Sequence, residues 1–209
     1  MKFFLVFLLF ALMFMGMWSC SKDKSTDLII PFSLNTPDQL PSMSYTVYST
    51  VLKSLFPNTT TLIVEQETSA KSSLIYGTLF YDTIASYIPE SKDSMMIINF
   101  NSSKDSIYNL DKKIAINNVY IKLISESELI NIFDATQTTN GWPTFYERYP
   151  TANGLISLSN ISYASDSSLA LMEVGYMTDL MMGTGTIFLL SNTLGQWKIT
   201  KELKTWSAK

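Results

Sequence analysis

The 209-residue sequence predicts an α+β fold: short N-terminal helices packed on a C-terminal antiparallel sheet, a meander. Three observations carry that prediction. Apolar residues recur at helical spacing between Ser42 and Leu55, Ser125-Glu126-Ser127-Glu128 has the form of a capping box, and four apolar runs follow one another after Leu155 with turn-forming residues between them. Helices first and strands afterwards is the pattern of a segregated α+β domain.

Taken in chain order, Met43, Val47, Tyr48, Val51, Leu52 and Leu55 share one helical face, and Pro57-Asn58 stops the run. Residues 61–67 and 119–124 are β-branched, apolar and short, so each reads as a strand. Residues 71–112 stay open, because Leu74 to Ile88 and Met95 to Phe100 fit helix and strand equally and periodicity does not decide short apolar runs. In the capping box Ser125 accepts the backbone N–H of Glu128 while the glutamate reaches back, which starts a short helix through Phe133. Pro143 is tolerated in a first helical turn, so residues 144–149 form another brief helix that ends at Pro150. Strands are then expected at 155–163, 169–176, 186–190 and 196–203, parted by Asp166-Ser167-Ser168, Gly183-Thr184-Gly185 and residues 192–195.

The N-terminus points to export. Lys2 supplies a positive start and residues 3–17 an apolar run, shorter than the roughly 20 residues of a spanning helix. Met17-Trp18-Ser19-Cys20 resembles a lipobox, of the looser kind found in Bacteroidota, with a small residue before the cysteine. The resemblance implies a lipoprotein: signal peptide 1–19, an acylated Cys20 followed by a flexible linker over 20–41 with Pro31, Pro37 and Pro41, and a single domain over 42–209. An ordinary cleaved signal or an uncleaved anchor is the alternative. Each buried methylene contributes about 0.8 kcal/mol, so several acyl chains on Cys20 hold firmly where one does not. The membrane, reached through that lipid, is therefore the expected partner, and the bacterial outer membrane the expected location. Cys20-Ser21-Lys22-Asp23-Lys24 resembles the short charged signals that direct some such lipoproteins to the cell surface, and it reads equally as a solvated tether.

A second resemblance lies further on. Gly141-Trp142, Phe145-Tyr146, Tyr149-Pro150, Gly154-Leu155-Ile156, Leu158-Ser159, Ala170-Leu171, Gly183-Thr184-Gly185 and Gly195-Gln196-Trp197-Lys198 together are similar to an uncharacterised family of secreted bacterial proteins. The likeness covers roughly residues 45 to 207 and departs from the pattern at Ser162-Tyr163. It implies a shared fold and supplies no catalytic residue.

Composition limits the chemistry. The chain has no histidine and a single cysteine, which excludes Ser-His-Asp and Cys-His catalysis, His-ligated zinc and intrachain disulfides. Loss of residues 1–19 leaves 14 basic against 18 acidic residues, a net charge of −4, so no nucleic-acid partner is expected. No cofactor is expected either. Carboxylate chemistry remains open, with Glu65, Glu67, Glu147, Glu173 and Asp179 as candidates by type alone. Glu173 reads as an outward strand position with a solvated carboxylate, a buried acid being the alternative.

Other features have plain readings beside sharper ones. Gly183-Thr184-Gly185 lacks the helix and further glycine of a dinucleotide loop, and a tight turn or bulge explains it. Trp142, Trp197 and Trp206 with Phe145, Tyr146 and Tyr149 suit a core as well as a carbohydrate-stacking surface. Asp82-Thr83-Ile84, Asp93-Ser94-Met95 and Asp105-Ser106-Ile107 resemble the O-glycan attachment sites of exported Bacteroidota proteins, which makes Thr83, Ser94 and Ser106 candidate acceptors. The expected function is a lipid-anchored envelope protein whose domain binds a protein or glycan or serves structurally. The alternatives are a periplasmic immunity protein and a carboxylate-dependent hydrolase.

Overall fold

Ser42–Leu55 forms helix α1, which starts directly after Pro41 and ends where the Phe56 N–H bonds the Leu52 carbonyl. Its spaced apolar residues bury Tyr45, Val47, Tyr48, Val51 and Leu52 on one side, as the period requires. The computed structural model describes residues 32–68, 86, 94–102, 106–134, 136 and 141–208. Strand β1 is Thr61–Glu65, helix α2 Ser94–Ser102 and strand β2 Tyr120–Ile124. Helices α3 (Glu126–Phe133) and α4 (Trp142–Arg148) follow, then strands β3 (Leu155–Leu158), β4 (Ser162–Tyr163), β5 (Leu169–Asp179), β6 (Met182–Thr193) and β7 (Gln196–Ala208). The class is α+β, as the sequence predicts.

The described strands join one seven-stranded sheet in the order β2-β1-β3-β5-β6-β7, with β4 pairing β5 off that path. The expected meander is present in β3, β5, β6 and β7, each antiparallel to the next. The first two strands differ from a simple meander. β1 lies between β2 and β3 and is parallel to both, because the connection from β2 to β3 runs through α3 and α4. Leu62, Ile63 and Val64 are all buried, so β1 is covered on both faces, which is the usual setting of a parallel strand.

Two expected elements take different forms, and a stretch left open takes a definite one. Residues 155–163 divide into β3 and β4, because Leu158 pairs Val174 whereas Ser162 pairs Leu171, leaving Ser159, Asn160 and Ile161 against two residues of β5. Met95 to Phe100, open in the sequence, is helical within α2 and turns Met96, Ile97 and Phe100 inward. The capping box forms only in half: Ser125 Oγ accepts the Glu128 N–H, while the Glu128 carboxylate turns to α4 and accepts from the Tyr149 hydroxyl at 2.5 Å and from Arg148 Nη1 at 3.3 Å. A charged partner across the helix pair outcompetes the local backbone N–H.

Phe32 begins the compact unit that ends at Lys209. The second part of the expected linker is docked on the domain rather than hanging free. The Asn35 N–H bonds Gln66 Oε1 at 2.8 Å, Gln66 Nε2 bonds the Asn35 carbonyl at 2.7 Å, and Leu34 and Leu40 pack against the core. No described helix is long and apolar enough to cross a membrane. The signal peptide, Cys20 and Thr83 lie outside the described residues.

Candidate functional site

Alternation along the strands gives the sheet two faces, and they are built differently. On one face Leu62, Val64, Ile156, Leu158, Met172, Val174, Phe188 and Leu190 form a continuous core beneath α1. On the other, apolar side chains gather at two ends. Ile63, Ile124 and Leu155 meet Ile132 and Phe145 of α3 and α4, whereas Leu171, Ile187 and Leu189 meet Met96, Ile97 and Phe100 of α2. Between these clusters runs a strip without a large aliphatic side chain: Ser157 pairs Gly175, Gly175 pairs Gly185, and Gly185 pairs Trp206.

The glycines of this strip are there for contact. Cβ atoms at Gly183 and Gly175 would stand 3.0 and 3.6 Å from the Trp206 ring, and one at Gly185 would run into it, so the indole lies directly on a floor of backbone. Gly175 likewise leaves room for the Ser157 hydroxyl. Ser157, Gly175, Thr205 and Trp206 are half-buried and Gly185 is buried beneath them, so solvent reaches the strip only from its outer side.

Glu173 closes the inner end. It is 3 % exposed, which corrects the expected outward, solvated position. The expectation assumed one solvated sheet face, but α2 covers that face at Leu171, two residues along β5, and at Ile187, which pairs Glu173 directly across on β6. A β-bulge brings its partner. Gly185 pairs Trp206 while Thr186 pairs Lys204, so Thr205 is the extra residue, and its hydroxyl donates to Glu173 Oε1 at 2.7 Å. Among the described residues Oε2 has no hydrogen-bond partner. Burial raises the carboxyl from its ordinary 4.5 to about 7, against the smaller downward pull of the Thr205 hydroxyl. At neutral pH the group is therefore poised between acid and anion. The backbone is fixed as firmly, with the Glu173 N–H on Ser159 Oγ at 2.7 Å and the Ser159 N–H on the Glu173 carbonyl at 2.9 Å.

The other candidate acids fall elsewhere, with one exception. Glu65 follows Val64 and shares the face of Ile63, so it lies on the same side of the sheet as Glu173 with β3 between them. Glu67 accepts from Asn35 Nδ2, Glu147 is exposed on α4, and Asp179 caps the tip between β5 and β6 through the Leu180 N–H. Among the described residues no three His, Cys, Asp or Glu side chains gather in a way that holds a metal.

The aromatic residues separate in the same way. Trp142, Phe145, Tyr146 and Tyr149 stack on one another and on Phe133 around α4, and Trp197 is buried in the core beneath α1, so these serve packing. Burial, then the bond to Glu128, pushes the Tyr149 hydroxyl far above its ordinary range. Trp206 alone of these tryptophans stands on the strip. Gly183-Thr184-Gly185 is no turn: it lies inside β6, and the bulge opposite it is in β7. Ser94 is the first residue of α2, and Ser106 is exposed.

The sequence reading missed Ser157, Gly175 and Thr205. Its available signal was three glycines inside apolar runs, since glycine within a strand marks a bulge or a close approach. Comparison of the chain with protein-family models, with characterised proteins and with solved structures returns no match.

Proposed function

We propose that the protein is a lipid-anchored component of the bacterial outer membrane whose α+β domain binds a small molecule in the strip between Glu173 and Trp206. The anchor rests on Lys2, the apolar run and Ser19-Cys20. Binding rests on one observation: a half-exposed, glycine-floored strip ends at a buried carboxyl oxygen without a partner among the described residues. Buried polar groups are normally satisfied, and one left open beside an aromatic plane is a mark of a site that a ligand completes.

Two measurements test the reading. Palmitate labelling in the native host is expected on the wild-type chain and lost in Cys20→Ala; label retained by the variant removes the anchor. Nondenaturing mass spectrometry of the chain extracted from its own membrane is expected to show a small molecule that Glu173→Gln does not retain. Identical masses, corrected for the substitution, remove the ligand. The same spectra read any glycan on Thr83, Ser94 or Ser106.

A carboxylate-dependent hydrolase is the second reading, favoured because Glu65 and Glu173 share a face and Glu173 holds its proton up to about 7, as a general acid must. Release of nitrophenol from aryl glycosides, lost in both Glu65→Gln and Glu173→Gln, would support it. No release by the wild type sets it aside.

A further inference from the structure

The chemistry of the strip narrows the ligand. Glu173 Oε2 offers a lone pair in a place where water is nearly excluded, and Thr205 already supplies the one neutral donor to Oε1. A second neutral donor would satisfy the hydrogen bond and leave the charge of the ionised form uncompensated. A cation would do both. Among the described residues none bonds Oε2: β3 offers Ser157 and the segment after it Ser159, β6 Gly185 and Ile187, β7 Lys201, Leu203, Thr205 and Trp206, and α2 Met96, Ile97 and Phe100. Of these Lys201 alone carries charge, and it stands opposite Leu189, exposed to solvent. The charged residue that shares this face on β1, Glu65, is acidic and favours a cation further.

The Trp206 indole adds the second determinant. One side of it rests on the glycine floor, and the residue is only half-buried. An indole plane attracts cations through its quadrupole and stacks on flat apolar groups. The acidic balance of the whole chain, 15 basic against 18 acidic residues, draws in the same class.

We infer that the strip binds a small organic ammonium ion, its N–H donating to Glu173 Oε2 and its apolar part lying against Trp206 between Ser157 and Thr205. This rests on the strip being a ligand site. Binding converts the carboxylic acid of Glu173 to carboxylate, and the displaced proton passes to solvent. The ammonium arrives already protonated, so one proton is released for each ligand bound to the acid form. Affinity accordingly rises with pH as the ionised fraction of free Glu173 rises, and levels off once it is ionised throughout.

Isothermal titration of the full chain in detergent tests this with benzylammonium chloride, and with benzyl alcohol and methyl β-glucopyranoside as neutral probes. The expected result is benzylammonium binding roughly thirtyfold tighter at about pH 8 than at about pH 5.5, following the ionised fraction of one group near 7. Buffers of different ionisation enthalpy should show proton release between those limits. Glu173→Gln should lose the binding and its pH dependence together, and Trp206→Phe should weaken binding while keeping the dependence; circular dichroism confirms that both variants fold. Benzylammonium binding that ignores pH, persists in Glu173→Gln or is absent overturns the inference. Binding of a neutral probe alone overturns the ammonium class while leaving the strip a ligand site. A native chain that carries no small molecule removes the ligand site itself.

Discussion

The face of the sheet beneath α1 and the face opposite are made by alternate residues of the same strands, yet they obey different rules. Beneath α1, Met172 and Val174 of β5 and Phe188 and Leu190 of β6 join strand to strand in one uninterrupted apolar core. One residue further along each strand, Leu171, Glu173 and Gly175 stand opposite Leu189, Ile187 and Gly185, and the apolar surface breaks into two islands with a polar, glycine-floored strip between them. Only the first face is filled without a break. The second gives up packing where Gly175, Gly185 and Ser157 stand, and buries a carboxyl that folding would rather leave in water. Such local loss without a structural return is expected where a protein keeps room for something else.

Substitutions on the two faces should therefore respond in opposite ways. Phe188→Ala, in the continuous core, is expected to lower stability by about 3–5 kcal/mol in denaturant unfolding, because the cavity cannot collapse between α1 and the sheet. A loss below about 1 kcal/mol would mean that this face is not the main core.

Glu173→Gln should do the reverse. In the unfolded chain the carboxyl gives up its proton near 4.5, and in the folded chain only near about 7, so between these values the folded state holds more protons and stability falls as pH rises. The loss is absent below about 4.5 and complete above about 7. The variant is thus expected to be more stable than wild type by about 3 kcal/mol at high pH, and equal to it at low pH. A wild-type stability that rises with pH across this window would show that Glu173 is ionised and compensated.

Gly185→Ala tests the floor. Its methyl group would enter the Trp206 ring and approach the Thr205 hydroxyl at 2.6 Å, so a loss of about 1–3 kcal/mol is expected, with a shift in tryptophan emission as the indole lifts. An unchanged spectrum would show that Trp206 does not rest on Gly185.

Local signals were legible in the sequence where neighbours along the chain settle the outcome. The helical spacing in Ser42–Leu55, the Ser125 cap and the pattern of turns after Asp166, near Leu194 and at Gly195 all depend on a few adjacent residues. The candidate site was legible only in fragments. Glu173 and Trp206 stood out by type. Glu173 in a strand whose neighbours are apolar looks outward to any reader who assumes one wet face, and only α2, distant in sequence, makes that face dry. Thr205 gave no signal, because a bulge depends on the register between β6 and β7.

By itself, the sequence determined the α+β class, the helices α1, α3 and α4 and the meander of β3, β5, β6 and β7, since hydrophobic period, capping and turn chemistry act over a few residues. It also excluded histidine chemistry and disulfides by plain absence. Only the tertiary structure decided that β1 enters the sheet in parallel between β2 and β3, that both faces are covered, and that Glu173 meets Thr205 across β6. These depend on which distant segments pack together, and burial, the force that shifts Glu173, is a property of that packing and of no single stretch of chain.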